Sequence, residues 1–283
     1  MTDSPDLALP TRAEVAGLRL VATDMDGTLL DPQHRVDPAF WQVVDRLEDH
    51  GIEVCAATGR QAAALAQVLG ARIAALTLIT DNGATVTRHG RVLHEARVGD
   101  DAVAEVAERI RALARSGQRV ALAISGSDQA VIEGLDQGAI AEARVYYPNA
   151  RVVEDVTTAV VAPVKVSVFD LAPITEAVVP ALADLASDHT LLQGHEHWVD
   201  VNAAGTDKGS ALGLVQRHLA VGADQTAAFG DHLNDLGLLG AASLSFAVAN
   251  AQPEVLAAAR FRAPANTRGG VVTALRALLA LLD

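Results

Sequence analysis

Leu18-Arg19-Leu20-Val21-Ala22-Thr23-Asp24-Met25-Asp26-Gly27-Thr28-Leu29-Leu30 begins as a short apolar run and breaks into two carboxylates and a glycine. A short apolar run bounded by turn residues reads as a buried strand. Residues two apart in an extended segment point to the same side, so Asp24 and Asp26 face one point beyond the strand. Runs of the same kind recur at Ile52 to Ala57, Leu76 to Thr80 and Thr226 to Phe229, each stopping at a Gly or a small polar residue and alternating with helical patterns. That alternation predicts an α/β protein with a Rossmann-like parallel-sheet core. Ligands of such sheets sit outside the carboxyl ends of the strands, where Asp24 falls.

The middle of the chain has a different period. Val164, Val166 and Val168 alternate with Lys165 and Ser167, the pattern of a strand buried on one face. Val103, Val106, Ala107, Ile110 and Leu113 recur at helical spacing, as do Ile174, Val178, Val179, Leu182 and Leu185. These features predict an inserted α+β unit with an open-faced antiparallel sheet under two helices. The turn Arg88-His89-Gly90-Arg91 reads as the link of a hairpin opening it. The insertion is placed at 85–196, leaving 1–84 and 197–283 as the core.

Composition narrows the partners. The 283 residues carry a net charge of −13, which disfavours binding to a nucleic-acid backbone. No run approaches the roughly 20 apolar residues of a membrane span, Met1 to Pro10 lacks the pattern of a secretory signal, and Cys55 is the single cysteine. A cytoplasmic protein without an obligate protein partner is expected. Cys55 lies in an apolar run and reads as a small buried hydrophobe. Trp198 reads as packing, and His195-Glu196-His197, with His189 nearby, as a polar turn.

Three further segments could join Asp24 and Asp26. Thr58-Gly59-Arg60 follows the second apolar run and offers a hydroxyl and backbone N–H groups to an anion. Phe229-Gly230-Asp231-His232-Leu233-Asn234-Asp235 follows another strand and puts Asp231, Asn234 and Asp235 on one face of a helix starting there. Lys208 precedes an apolar helical pattern through Leu212, Leu214, Val215 and Leu219. Alone, each is an ordinary cap, turn or surface residue. Together, Asp24 and Asp231 make a hard oxygen site suited to Mg²⁺, and Lys208 adds positive charge for a phosphate.

These four ordered motifs resemble those of the haloacid dehalogenase superfamily, in particular its Cof-type phosphatases with a large class II cap. Asp81-Asn82-Gly83-Ala84, Asp200 through Leu212, Asn250-Ala251 and Gly270-Val271 extend the likeness over nearly all the chain beyond residue 18. Departures are Val248-Ala249, where Met-Gly is common, and Arg268-Gly269, where an acidic residue is frequent.

The resemblance implies that Asp24 is the nucleophile and Asp26 the acid and base. It implies Mg²⁺ held by the Asp24 carboxylate, the Asp26 carbonyl and Asp231. Thr58, the N–H groups of Met25 and Gly59, Lys208 and the Asn234 amide would surround the phosphoryl oxygens, and Asp235 would orient the metal site or Lys208. The activity implied is hydrolysis of a small phosphorylated metabolite, of the sugar phosphate, pyridoxal phosphate or flavin mononucleotide class. The alternative is a phosphate- and Mg²⁺-binding sensor or phosphoacceptor that does not turn over. Against it, Asp26 is a carboxylate poised to activate water.

Overall fold

Fourteen strands among the described residues fall into two sheets, and the sites of interest lie between them. The structure is a computed structural model that describes residues 9–126, 129–159 and 162–283, with the His195 side chain outside the described set. Helix α1 (Arg12–Val15) leads into β1 (Leu20–Asp24), α2 (Pro38–Asp49), β2 (Glu53–Ala57), α3 (Ala62–Leu69), β3 (Thr77–Thr80), β4 (Thr85–Arg88) and β5 (Arg91–Glu95). A second unit follows: α4 (Asp100–Arg115), β6 (Val120–Gly126), β7 (Ala130–Gly134), α5 (Gln137–Tyr146), β8 (Arg151–Val153), β9 (Pro163–Asp170), α6 (Val178–Leu182), β10 (His189–His195) and β11 (Trp198–Ala203). The chain then returns through α7 (Lys208–Leu219), β12 (Thr226–Gly230), α8 (Leu236–Gly240), β13 (Leu244–Val248), α9 (Pro253–Ala258), β14 (Phe261–Ala263) and α10 (Gly270–Leu282).

The first sheet has the order β14-β13-β12-β1-β2-β3-β4-β5. It is parallel from β14 to β3, with Leu20 opposite both Thr226 and Glu53. Every β1 residue is buried, as a central strand covered on both faces requires. Helix α2 shows how local sequence sets an element. Asp37 caps it by accepting from the Ala39 N–H at 2.8 Å, Pro38 fits its first turn, and Phe40, Val43, Val44 and Leu47 make the buried stripe.

The hairpin at 85–95 belongs to this first sheet, contrary to the sequence-based boundary at 85. Strand β4 pairs antiparallel with β3, Thr80 opposite Thr85, and β5 extends the same sheet. His89 and Gly90 have φ of 49° and 73°, the twist that folds a two-residue hairpin loop back on its own sheet. The crossing comes later: the Ala96 N–H donates to Ala84 of the first unit, and the Val98 N–H to Pro163 of the second. Likewise β11 pairs with β9 and β10, so the return follows Ala203 rather than residue 196.

The second sheet has the order β10-β11-β9-β6-β7-β8, antiparallel except for the β7–β8 pair. Helices α4 and α6 cover one face through Val103, Val106, Ile110, Val178 and Leu182. The other face is partly covered by α5, which the sequence reading did not include, through Ala139, Ile140 and Ala143. The rest of that face is turned toward the first unit and lines a cavity shared with it. Lys165 and Ser167 on β9, expected on a solvated face, are both buried.

Candidate active site

Strand β1 delivers Asp24 to the carboxyl end of the first sheet, and the chain turns sharply there. Gly27 takes φ +79°, and a Cβ on it would lie 2.3 Å from Asp231 Oδ2, so only glycine lets the turn reach that carboxylate. Thr28 Oγ1 donates to Asp231 Oδ1 at 2.8 Å, joining the loops after β1 and β12. Met25 buries its side chain in the core.

Lys208 opens α7 and is 1% exposed. Its Nζ donates to Asp24 Oδ1 and Asp235 Oδ1, each at 2.6 Å. The other Asp235 oxygen accepts the N–H groups of Asp231 and His232 at 3.0 and 3.1 Å. Both Asp235 oxygens are thus engaged by protein donors, whereas Asp24 and Asp231 stand beside them with less compensation. Burial opposes the Lys208 charge, but Asp235 and Asp24 outweigh it and hold the ammonium above its ordinary range. Burial, then the nearby Asp235 charge, pushes Asp24 well up and Asp231 up to about 6. One ligand atom from each of Asp24, Asp231 and Asp235 lies within 4.8 Å of the others, the one such acidic cluster found among the described residues. A buried and a partly buried carboxylate, both pushed toward protonation by burial and by the Asp235 charge, are a donor set that a small divalent cation would satisfy.

Thr58 and Gly59 follow β2. The Thr58 hydroxyl accepts from the Arg60 N–H at 3.0 Å, and a Cβ on Gly59 would meet Asn82 Oδ1 at 2.9 Å. The Asn234 amide reaches the same Asn82 oxygen at 3.3 Å. All the residues named from the sequence as catalytic, phosphate-binding or metal-binding therefore gather at one end of the first sheet.

The structure adds residues the sequence reading did not single out. Arg60 forks onto Asp26, Nε to Oδ2 at 2.6 Å and Nη2 to Oδ1 at 2.5 Å, with His34 Nδ1 3.1 Å from Oδ1. Lys165, 3% exposed, reaches across from β9 to donate to the Gly59 carbonyl at 2.5 Å. Its Nζ lies 3.5 Å from Asp81 and 3.6 Å from Asp200. Asn82 donates to Asp200 at 2.6 Å, and the Ser167 hydroxyl bonds Asp200 and the Tyr147 hydroxyl. A cavity of about 270 Å³ spans the interface between the units, from Asp24 and Asp26 to Tyr146, Phe169 and Trp198. Trp198, expected only to pack, therefore lines the site. Arg60 lay within a recognised motif; Lys165 had no sequence signal beyond a lysine in a valine-rich strand.

The other expectations hold their ordinary readings. Cys55 is buried, and burial pushes its thiol up. Glu196 and His197 form the turn between β10 and β11, while the His195 side chain lies outside the described residues. No helix among the described residues is long and apolar enough to cross a membrane.

With this geometry in view, the comparisons define the class. Residues 21–275 match the family model of haloacid dehalogenase-like hydrolases, and the chain belongs to that family, in its Cof-type branch. A curated relative, the HMP-PP phosphatase of Escherichia coli O6:H1, is 31% identical over 242 residues, spanning 84% of this chain and 87% of its own. BT1666 of Bacteroides thetaiotaomicron, a phosphatase of the same superfamily, superposes with a TM-score of 0.76 at 25% identity over 96% and 98% of the two chains. SMU.1108c of Streptococcus mutans UA159 reaches a TM-score of 0.83 at 24% identity, over 93% and 99%. The protein is accordingly a phosphoric monoester hydrolase acting on a phosphorylated small molecule.

Proposed function

We propose that the protein is a Mg²⁺-dependent phosphatase of small phosphorylated metabolites, of the sugar phosphate, pyridoxal phosphate or flavin mononucleotide class, working through an aspartyl phosphate on Asp24. The observation that carries this reading is the Asp24–Lys208–Asp235 arrangement beside Asp231. Lys208 is held between two carboxylates, which fixes one Asp24 oxygen and leaves the other for attack on phosphorus. Mg²⁺, held by Asp24, Asp231 and the Asp26 carbonyl, would supply charge that offsets repulsion between an anionic nucleophile and an anionic substrate. Thr58, Asn234, Lys208 and the N–H groups of Met25 and Gly59 would receive the phosphoryl oxygens, where transition-state charge spreads.

Two displacements complete the reaction. An Asp24 oxygen bonds to phosphorus as the ester oxygen departs and takes a proton from Asp26. Water then attacks phosphorus, gives its proton to Asp26 and releases phosphate and free Asp24. Both Asp26 oxygens accept from Arg60 here, an arrangement suited to the second step; delivering a proton in the first requires that fork to loosen. The 98–203 unit would act as a cap that excludes water and macromolecular substrates. A single buried cysteine suits a reducing, cytoplasmic setting.

The test is phosphate release from pyridoxal 5′-phosphate, flavin mononucleotide, sugar phosphates and HMP-PP, with Mg²⁺ and with chelator, for the wild type and Asp24→Asn. Metal-dependent release lost in the variant is expected. One burst of phosphorylated protein without turnover would instead identify a phosphoacceptor.

A further inference from the structure

The protein has nine aromatic residues in 283, and four of them, Tyr146, Tyr147, Phe169 and Trp198, line the cavity that holds Asp24 and Asp26. The remaining five are accounted for elsewhere: Phe229, Phe246 and Phe261 stack in the core of the first unit, and Phe40 and Trp41 pair on α2. All four cavity aromatics come from the second unit, whose interior is otherwise built of Val, Ala, Leu and Ile.

Their arrangement is built rather than incidental. Tyr147 is buried and spends its hydroxyl on Ser167. Tyr146 and Trp198 are only partly buried; their rings meet edge-on at 4.1 Å between centroids, with Phe169 5.9 Å from Trp198 behind them. Gly194 on β10 makes room for the indole: a Cβ there would lie 1.9 Å from Trp198 Nε1 and 2.4 Å from Cε2. A larger residue at 194 would push the ring off this wall.

We propose that this wall, with Trp198 and Tyr146 as its main faces, selects a phosphoester whose leaving group is a planar aromatic or heteroaromatic ring. The inference rests on the phosphatase reading, since Asp26, the donor to the leaving oxygen, opens on the same cavity. Tyr146 and Trp198 line the same cavity as Asp26. A leaving group beyond Asp26 therefore meets an aromatic wall. Polar side chains on this side are already committed: Lys165 to the Gly59 carbonyl, Ser167 and Asn82 to Asp200, and Arg60 to Asp26. A sugar would exchange hydrated hydroxyls for apolar surface there, whereas a flat ring gains contact on its face.

The experiment compares kcat/KM for pyridoxal 5′-phosphate, glucose 6-phosphate and ringless acetyl phosphate in the wild type, Trp198→Leu and Gly194→Ala. We expect pyridoxal 5′-phosphate to exceed glucose 6-phosphate, and its advantage over acetyl phosphate to fall by about ten- to a hundredfold in both variants, the scale of one lost ring-stacking contact. A second readout covers variants that fold poorly. In Trp41→Phe/Asp24→Asn, Trp198 is the only tryptophan, and its fluorescence should be quenched by pyridoxal 5′-phosphate at concentrations where glucose 6-phosphate has no effect. Glucose 6-phosphate hydrolysed at least as efficiently, or Trp198 blind to pyridoxal 5′-phosphate, overturns the ring inference while the phosphatase reading stands. No release from any of the three overturns the phosphatase reading itself.

Discussion

Replacing Lys165 by Met keeps the apolar stem and removes one charge from the junction between the units. Asp81 and Asp200, 1% and 3% exposed, then face each other's charge without their shared cation. Removing one partner of a buried ion pair costs about 3–5 kcal/mol. Asp81 retains the Ser125 hydroxyl at 2.8 Å and Asp200 retains Asn82 at 2.6 Å, which places the expected loss near the lower end, about 3 kcal/mol. Burial already raises the Asp81 carboxyl and Lys165 opposes that rise, so the variant raises it further. An acid whose pKa is higher folded than unfolded binds more protons in the folded state, so its penalty grows as pH rises from the unfolded carboxylate range, about 4, through the folded value. The deficit in urea unfolding followed by circular dichroism should therefore be larger at pH 8 than at pH 5, and Lys165→Met/Asp81→Asn should recover part of it. A loss below about 1 kcal/mol, the scale of an exposed pair, or a loss independent of pH, would refute the assignment of Lys165 as the counterion of this junction.

Three more outcomes are expected. Asp24→Asn should lower turnover by about 10⁴-fold or more while leaving the circular dichroism spectrum intact, because Asn preserves size and an acceptor for Lys208. Gly27→Ala forces an L-residue to φ +79° at about 1–2 kcal/mol and drives a methyl into Asp231. The Mg²⁺ concentration for half-maximal activity should rise at least about tenfold, the scale seen when groups orienting metal ligands are disturbed, and an unchanged Mg²⁺ response would remove Asp231 from the metal site. Chelation of the wild type should stop phosphate release and Mg²⁺ should restore it; release that persists in chelator would exclude the metal role of the acidic cluster.

The parts readable from sequence are those governed by short-range rules. An apolar run breaking into Asp24-Met25-Asp26-Gly27 states that a strand ends and which residues stand at its end; β1 stops at Asp24, so it is the turn that follows, not strand alternation, that brings Asp26 to the same cavity. The same holds at Thr58 and Asp231, and the parallel sheet then brings these ends together: Leu20 lies opposite Thr226 and Glu53, so the three following loops must adjoin. Register does what no motif states. Misplacing the hairpin at 85–95 has a matching cause. Local sequence announces a turn at His89-Gly90 but carries no information about which sheet its strands extend; that is decided by pairing of Thr85 to Arg88 with β3.

Lys165 shows where sequence reading reaches its limit. In Val164-Lys165-Val166-Ser167-Val168 the period of two correctly separates two faces, and hydrophobicity correctly assigns the valines to the helices α4 and α6. The same period reads as a strand buried on one face only, because polar residues are usually exposed. The actual cover of Lys165 is Asp200, on the neighbouring strand β11, together with Gly59 and Asp81, residues 106 and 84 positions away that meet it only across the junction between the units. Burial of Lys165 is therefore a property of the two units packed together: its bond to Gly59 and its approach to Asp81 both cross the junction. Trp198 and Tyr146 line the same cavity as Asp26, so the packing of the two units that sets Lys165 against the Gly59 carbonyl also forms the wall of that cavity.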